Sequence, residues 1–334
     1  MNSKLMPPGL TYLAGNITSR QNILGVAKGQ SARWARGLNL PRRGETIFFA
    51  GCGYQFSRQL EALMSLMRRM DRSAIGAELP LHFASSQKNL GVNLAGIYTK
   101  VMTGGDKAEA QPLVAAVQVL QKLGIAFGYL AEDEPCCGAP LYYTGRREEF
   151  AGNARRAYQK LKSFGVKRVI SIVPYCTHAL LRLFPMYVDG FDIEVKHFLE
   201  IVLEKLPSRR LCFPRQVKVT YHDPCQMVRY LSLIEEPRRI LRSIEGIELV
   251  EPDWTKREWA TCCGGGGGFE AVFPGMSQVL AVNRTRELLE TGAEIIVTHC
   301  PGCALQLQSG LKELKANNIE VLDLTEIIAM AMGA

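Results

Sequence analysis

Ten cysteines stand at positions 52, 136, 137, 176, 212, 225, 262, 263, 300 and 303 of this 334-residue chain, and all but Cys212 follow an ordered pattern. The second half reads Cys225, 36 residues, Cys262-Cys263, 36 residues, then Cys300-Pro301-Gly302-Cys303. Five thiolates converge only around a centre that neutralises them, because packed thiolate charges repel and desolvate badly. Two centres suit such donors: an iron–sulfur cluster, and a tetrahedral zinc ion held by four cysteines. Five donors rather than four favour the cluster. Buried core cysteines are the ordinary alternative, and the recurring order argues against it. A disulfide framework is not expected, since adjacent thiols bridge poorly and a chain of this length does not need one.

The residues around these thiols suit the same chemistry. Pro301-Gly302 leaves backbone room beside a metal, and the run Gly264 to Gly268 lets main-chain amides approach sulfur or a bound anion. Helices starting after Cys225 and Cys300 would bring their positive ends to the thiolates. The glycine run is not a nucleotide loop: Phe269-Glu270 follows it, with no Gly-Lys-Ser/Thr. His222, His299, His178, Gln226 and Arg229 flank the cysteines. A histidine there ordinarily donates a hydrogen bond to sulfur. The sharper expectation makes His299 or His222 a proton donor to a nascent thiolate.

The elements that must position these groups come twice. Thr46-Ile-Phe-Phe-Ala50 reads as a strand ending at Cys52, and Val217-Lys-Val-Thr-Tyr-His222 as a strand ending at Cys225. Cys136-Cys137-Gly138 and Cys262-Cys263-Gly264 follow, 126 positions apart. Helical stretches over Arg146–Phe164 and Gly275–Thr291 lead into the strands before Cys176 and Cys300. The copies close alike, as Asp192-Ile-Glu-Val-Lys-His197 and Asn318-Ile-Glu-Val-Leu-Asp323. This alternation predicts an α/β fold of two pseudo-symmetric halves with parallel sheets, each carrying a Cys-Cys-Gly motif. The thiols are expected at the carboxyl ends of the strands. The expected organisation is an N-terminal extension over 1–44, a first unit over 45–211 and a second over 212–334. Between Cys52 and Cys136 lie 83 residues against 36 in the second copy, which places an insertion at about 72–108.

Composition sets the frame. The chain is 47% hydrophobic and 22% charged, ordinary for a globular protein. No apolar run reaches the roughly 18–20 residues that cross a bilayer, and the opening stretch lacks a signal-peptide core, so a cytoplasmic location is expected. The formal charge of +8 is spread over scattered arginine doublets. They read as solvated helix faces or as a docking surface for an acidic partner. No nucleic-acid motif accompanies them.

His222-Asp223-Pro224-Cys225, Cys262-Cys263-Gly264-Gly265-Gly266-Gly267 and Cys300-Pro301-Gly302-Cys303 together resemble the cysteine-rich CCG-domain family, over roughly residues 17–330. That family includes the B-type and D-type subunits of heterodisulfide reductase, iron–sulfur subunits of glycolate and lactate oxidases, and electron-transfer subunits of benzoyl-CoA reductase type complexes. The resemblance implies that Cys225, Cys262, Cys263, Cys300 and Cys303 hold a non-cubane [4Fe-4S] cluster. In the first half Cys52, Cys136, Cys137 and Cys176 match, but Cys-x-x-Cys becomes Cys176-Thr177-His178-Ala179. Four thiols remain there for a second [4Fe-4S] cluster or a zinc ion, with Cys212 or His178 as further candidates. Cys212 otherwise reads as a free thiol in a polar connection.

The resemblance implies an iron–sulfur redox subunit of a heterodisulfide reductase-like complex, exchanging electrons with a disulfide or similar substrate. The chain has no ferredoxin-type cysteine segment. Electrons are therefore expected from a ferredoxin-like iron–sulfur subunit of the C type, and from a flavin or other electron-input subunit. A small-molecule disulfide or thiol is the expected ligand. Two alternatives stand beside this: a non-catalytic electron conduit in a hydroxy-acid oxidase or acyl-CoA reductase complex, and a zinc-stabilised scaffold.

Overall fold

The computed structural model describes residues 6–71, 110–206 and 210–333. The insertion expected at about 72–108 lies outside the described residues. Two parallel sheets organise the rest. Strands β1 (Thr46–Phe49), β2 (Arg168–Ser171) and β3 (Glu194–His197) form one, in the order β1-β2-β3. Strands β4 (Leu211–Tyr221), β5 (Ile244–Leu249), β6 (Ile295–Thr298) and β7 (Glu320–Asp323) form the other, in the order β5-β4-β6-β7. All pairings are parallel. Removing β5 leaves the same order in both sheets, as the internal repeat requires. Even β5 has a vestige in the first half, where Gly128 bridges Ile47 in parallel beside β1.

The strand residues explain this layering. Ile295-Ile-Val-Thr298 is buried along its whole length, as befits a parallel strand covered by helices on both faces. Helices Arg147–Ser163 and Pro274–Leu289 occur near their predicted positions and lead into β2 and β6. One contiguous core joins the halves: Phe48 and Val169 belong to the same buried cluster as Tyr221 and Leu324. Thr325 Oγ1 donates to Pro112 O at 3.0 Å, tying the last helix, Leu324–Ala331, to helix Gln111–Lys122 of the first half.

One local expectation changes. Strand β4 starts at Leu211, so Cys212 lies in a strand, exposed, rather than in a polar connection. Leu211 and Phe213 are buried and draw this segment into the sheet. The register against β5 breaks between Cys212 and Val217, where Pro214 lacks an N–H to give the ladder. None of the ten cysteines is in a disulfide. Among the described residues no helix is long and apolar enough to cross a membrane.

Candidate metal centre

Each ordered cysteine sits where a strand or loop gives way to a helix. Cys52 is the second residue of helix Gly51–Gln55, directly after β1, and Cys225 opens helix Cys225–Tyr230 after β4. Cys300 caps helix Pro301–Leu314 after β6, and Cys176 lies in the short helix Pro174–His178 after β2. Cys136-Cys137 and Cys262-Cys263 are carried by loops. Gly138 follows the first pair with φ +71°, and a Cβ there would lie 2.5 Å from Asn153 Nδ2. That nitrogen donates to Cys136 O at 2.9 Å, pinning the turn.

In the first half the Sγ atoms of Cys52 and Cys136 are 3.9 Å apart, and those of Cys137 and Cys176 3.2 Å. In the second half Cys263 and Cys303 are 3.2 Å apart, and Cys263, Cys300 and Cys303 form a buried cluster. Gly264 N donates to Cys262 Sγ at 3.3 Å, so the glycine run does aim an amide at sulfur. The next donor goes elsewhere: Gly266 N bonds Glu270 Oε2 at 2.9 Å. Gly266 needs to be glycine for another reason too, because a Cβ at its φ of +96° would lie 2.6 Å from Tyr175 Oη.

The two thiol sets share one space. A cavity of about 210 Å³ is lined by Cys52, Cys136, Cys137 and Cys176 from the first half, and by Cys225, Cys300 and Cys303 from the second. A smaller cavity of about 90 Å³ is lined by Cys225, Cys262, Cys263 and Cys303 together with His222, Arg229 and Arg257. Every ordered cysteine therefore lines one or both cavities. Cys212, His178 and His299 line neither.

Electrostatics fit a donor set made for a cationic centre. Burial pushes the Cys225 thiol up to about 11. The Cys52 thiol is raised well above its ordinary range, first by its hydrogen bond with Cys136 and then by burial. Cys263 is the exception: its contacts with Cys262 and Cys303, and then the nearby His222 ring, hold it well below. Among the described residues no Lys or Arg lines the larger cavity, so only a bound positive centre would let these thiols ionise together. The nine ordered cysteines thus supply the kind of donor that an iron–sulfur or zinc centre uses.

The flanking histidines are held differently. His222 accepts from Arg284 Nε at its Nδ1 (3.0 Å), and a guanidinium only donates. The proton of neutral His222 therefore sits on Nε2, which has no hydrogen-bond acceptor within the protein. A ring nitrogen of His222 and the sulfurs of Cys263 and Cys303 lie within 4.8 Å of one another. His299 is fully buried, its Nδ1 bonded to Asp323 Oδ1 at 2.9 Å, while Asp323 also accepts from the Tyr54 hydroxyl. His178 is engaged by Tyr143, whose hydroxyl lies 2.6 Å from His178 Nδ1 and 2.8 Å from Gln226 Oε1. The residue inside the altered Cys176 segment thus meets Gln226 of the second half through one tyrosine.

Several supporting residues escaped the sequence. Glu134 accepts from Ala50 N, Gly51 N and Gln55 Nε2 at 2.7–2.9 Å, fixing the turn into Cys52, and burial pushes its carboxyl up to about 8. Arg238, fully buried, grips Asp223 with two nitrogens at 2.7 and 2.8 Å just ahead of Cys225. An arginine in a helix with no distinguishing pattern gives no such signal. Asp323 was legible in principle, since it takes the station of His197 in the repeat.

The cysteine motifs have counterparts in known proteins. The model of the CCG cysteine-rich domain matches residues 103–181 and 219–308, about half the chain. The D-type subunit of the dihydromethanophenazine:CoB–CoM heterodisulfide reductase of Methanosarcina acetivorans is 33% identical over 243 residues, covering 71% of this chain and 59% of that protein. The EtfAB:quinone oxidoreductase of Syntrophomonas wolfei is 33% identical over 228 residues, 65% of this chain and 31% of its own length. A probable iron–sulfur-binding oxidoreductase of Bacillus subtilis is 27% identical over 230 residues, 68% of this chain and 32% of its own. The chain spans less than two thirds of each. These relatives support an iron–sulfur cofactor and an oxidoreductase class. With its pattern matched in both halves, the chain belongs to the CCG cysteine-rich domain family.

Proposed function

We propose that this chain is an iron–sulfur redox subunit of a heterodisulfide reductase-like complex. In this reading Cys225, Cys262, Cys263, Cys300 and Cys303 hold a non-cubane [4Fe-4S] cluster, and Cys52, Cys136, Cys137 and Cys176 hold a second [4Fe-4S] cluster or a zinc ion. The observation that carries it is the shared cavity, onto which thiols of both halves open. When bound, such a cluster supplies single electrons and an iron site for sulfur. Opening a disulfide takes two electrons and two protons and releases two thiols. Electrons would come from a ferredoxin-like iron–sulfur subunit fed by a flavin or other input subunit, in a cytoplasmic complex.

The chain's own residues would do the rest. Units 45–211 and 212–334 present the two thiol sets, and helix Pro8–Arg20 of the extension lines the cavity with Gly9, Tyr12 and Leu13. His222 holds a proton on Nε2 beside Cys263 and Cys303. His299, tied to Asp323 and through it to Tyr54, holds the turn at Cys300 and is the deeper candidate for a proton donor.

A second reading, the electron conduit, draws on one observation: Ala179 stands where a fifth cysteine of the first half would be, and His178 is already committed to Tyr143. Anaerobic purification with iron, sulfide and zinc assays and EPR tests the main reading. Iron and sulfide that fall in Cys263→Ala and persist in Cys212→Ala support it. Zinc without iron would leave only the scaffold. Turnover of a disulfide by the reduced, loaded protein separates catalyst from conduit.

A further inference from the structure

Beyond the thiols, the walls of the larger cavity are greasy. Helix Ser57–Asp71 contributes Leu60, Leu63, Met64 and Met67, and Leu305 and Ile23 stand on other walls. Its polar lining side chains are Tyr12, Tyr175, Gln226 and Glu270, none of them a cation. The glycine run lines the wall with the amides of Gly265 to Gly268, which carry no net charge. Gly264 N is used by Cys262, and Gly266 N by Glu270. Arg68, whose charge reaches Glu270, is committed on both terminal nitrogens: one bonds Gln306 Oε1 at 2.7 Å and the other Ser309 Oγ. Gln226 Oε1 is taken by Tyr143.

A carboxylate or sulfonate entering this space would lose its water and meet no compensating charge. It would also meet a carboxyl. Glu270 lines the wall with its Oε2 already accepting from Gly266. An alkyl or aryl group, by contrast, gains by covering the leucine and methionine surface.

We infer that the cavity between the two thiol sets selects an uncharged, apolar disulfide or thiol and turns away carboxylated or sulfonated ones. This names the substrate class for the redox reading above and rests on it. The selecting elements are the faces of helices Pro8–Arg20 and Ser57–Asp71, together with Glu270.

Redox-inert thioethers test the selection without turnover. Dibutyl sulfide, thiodipropionamide and thiodipropionate share a central sulfur and differ in polarity and charge. Each is titrated calorimetrically into the anaerobically purified, iron-loaded full chain. Dibutyl sulfide is expected to bind at least about tenfold more tightly than the dianion, with the neutral diamide between. Equal or tighter binding of thiodipropionate, or no binding of dibutyl sulfide, overturns the inference. Leu63→Trp and Leu305→Phe fill the cavity from two walls, and whichever retains iron and sulfide should lose dibutyl sulfide binding. Retained affinity in that variant places the ligand elsewhere and also overturns it. Iron and sulfide assays on the same samples report separately on the redox reading, which can fail while the order of affinities holds.

Discussion

His197 and Asp323 occupy the same station of the two repeats, and both close on His299. The His197 ring lies edge-on to that of His299 with centroids 5.1 Å apart, and Asp323 Oδ1 bonds His299 Nδ1 at 2.9 Å. Each is also the N-cap of the helix that follows. His197 Nδ1 accepts from Leu199 N, Asp323 from Thr325 N, and Glu200 and Glu326 complete the capping boxes. The repeat thus kept the cap and changed its chemistry. A histidine that burial keeps neutral stands on one side of His299, and a carboxylate that His299 and Tyr54 hold ionised stands on the other. Tyr54 lies two residues after Cys52 and His299 directly before Cys300, so Asp323 ties the two cysteine turns together.

The buried pair Arg238–Asp223 should be essential to the turn before Cys225. Asp223 accepts from both terminal nitrogens of Arg238 and from Arg257 N, and Arg238 also reaches Glu251. Arg238→Met leaves Asp223 a buried, unpaired carboxylate and is expected to cost about 3–5 kcal/mol. Denaturant unfolding measures it. A loss no larger than that of an exposed pair such as Arg210–Glu245 would refute the assignment.

Glu326 should make stability fall as pH rises from about 4.3 towards neutrality. Burial lifts its carboxyl to about 7, with Asp323 and Glu320 adding to the lift and the Asp323 N–H opposing it. An unfolded glutamate titrates near 4.3, so the fold favours the protonated form. That contribution is complete below about pH 4.3, declines towards pH 7 and is absent above, at most about 4 kcal/mol in all. Glu326→Gln should remove this slope from the pH dependence of unfolding. An unchanged slope would show that other groups carry it.

Gly51 is expected to tolerate no side chain. At φ +69°, a Cβ would lie 2.8 Å from Val173 Cγ2 and 2.9 Å from Cys176 Sγ. Gly51→Ala therefore strains the backbone and displaces a thiol, at a cost of about 1–3 kcal/mol. Thermal melting and metal stoichiometry should fall together, with the second-half centre retained. Full metal content in both halves would count against the contact.

Arg284 and His222 should act as one unit on the second-half centre. Arg284 fixes the tautomer with its proton on Nε2, and a ring nitrogen of His222 lies within 4.8 Å of the Cys263 and Cys303 sulfurs. An N–H dipole close to sulfur raises a cluster's potential. His222→Leu and Arg284→Leu are both expected to lower the midpoint in an EPR-monitored titration. The double variant should move it no further than His222→Leu alone. Additive shifts would mean that Arg284 acts on the centre independently.

The sequence by itself determined the repeat, the α/β class and the nine cysteines that belong together, because strand periodicity, glycine turns and cysteine spacing are local and survive in one dimension. It also located the helices that bring amide ends to the thiols. Only the tertiary structure decided that both thiol sets open on one apolar cavity, and that His222, His299 and His178 have different partners. Those partners, Arg284, Asp323 and Tyr143, lie 62, 24 and 35 positions away. Side chains so far apart meet only when the sheets pack on a common core, and their chemical type carries no mark of whom they will meet. The same holds for Cys212, whose place in β4 was set by the burial of Leu211 and Phe213 around a proline bulge.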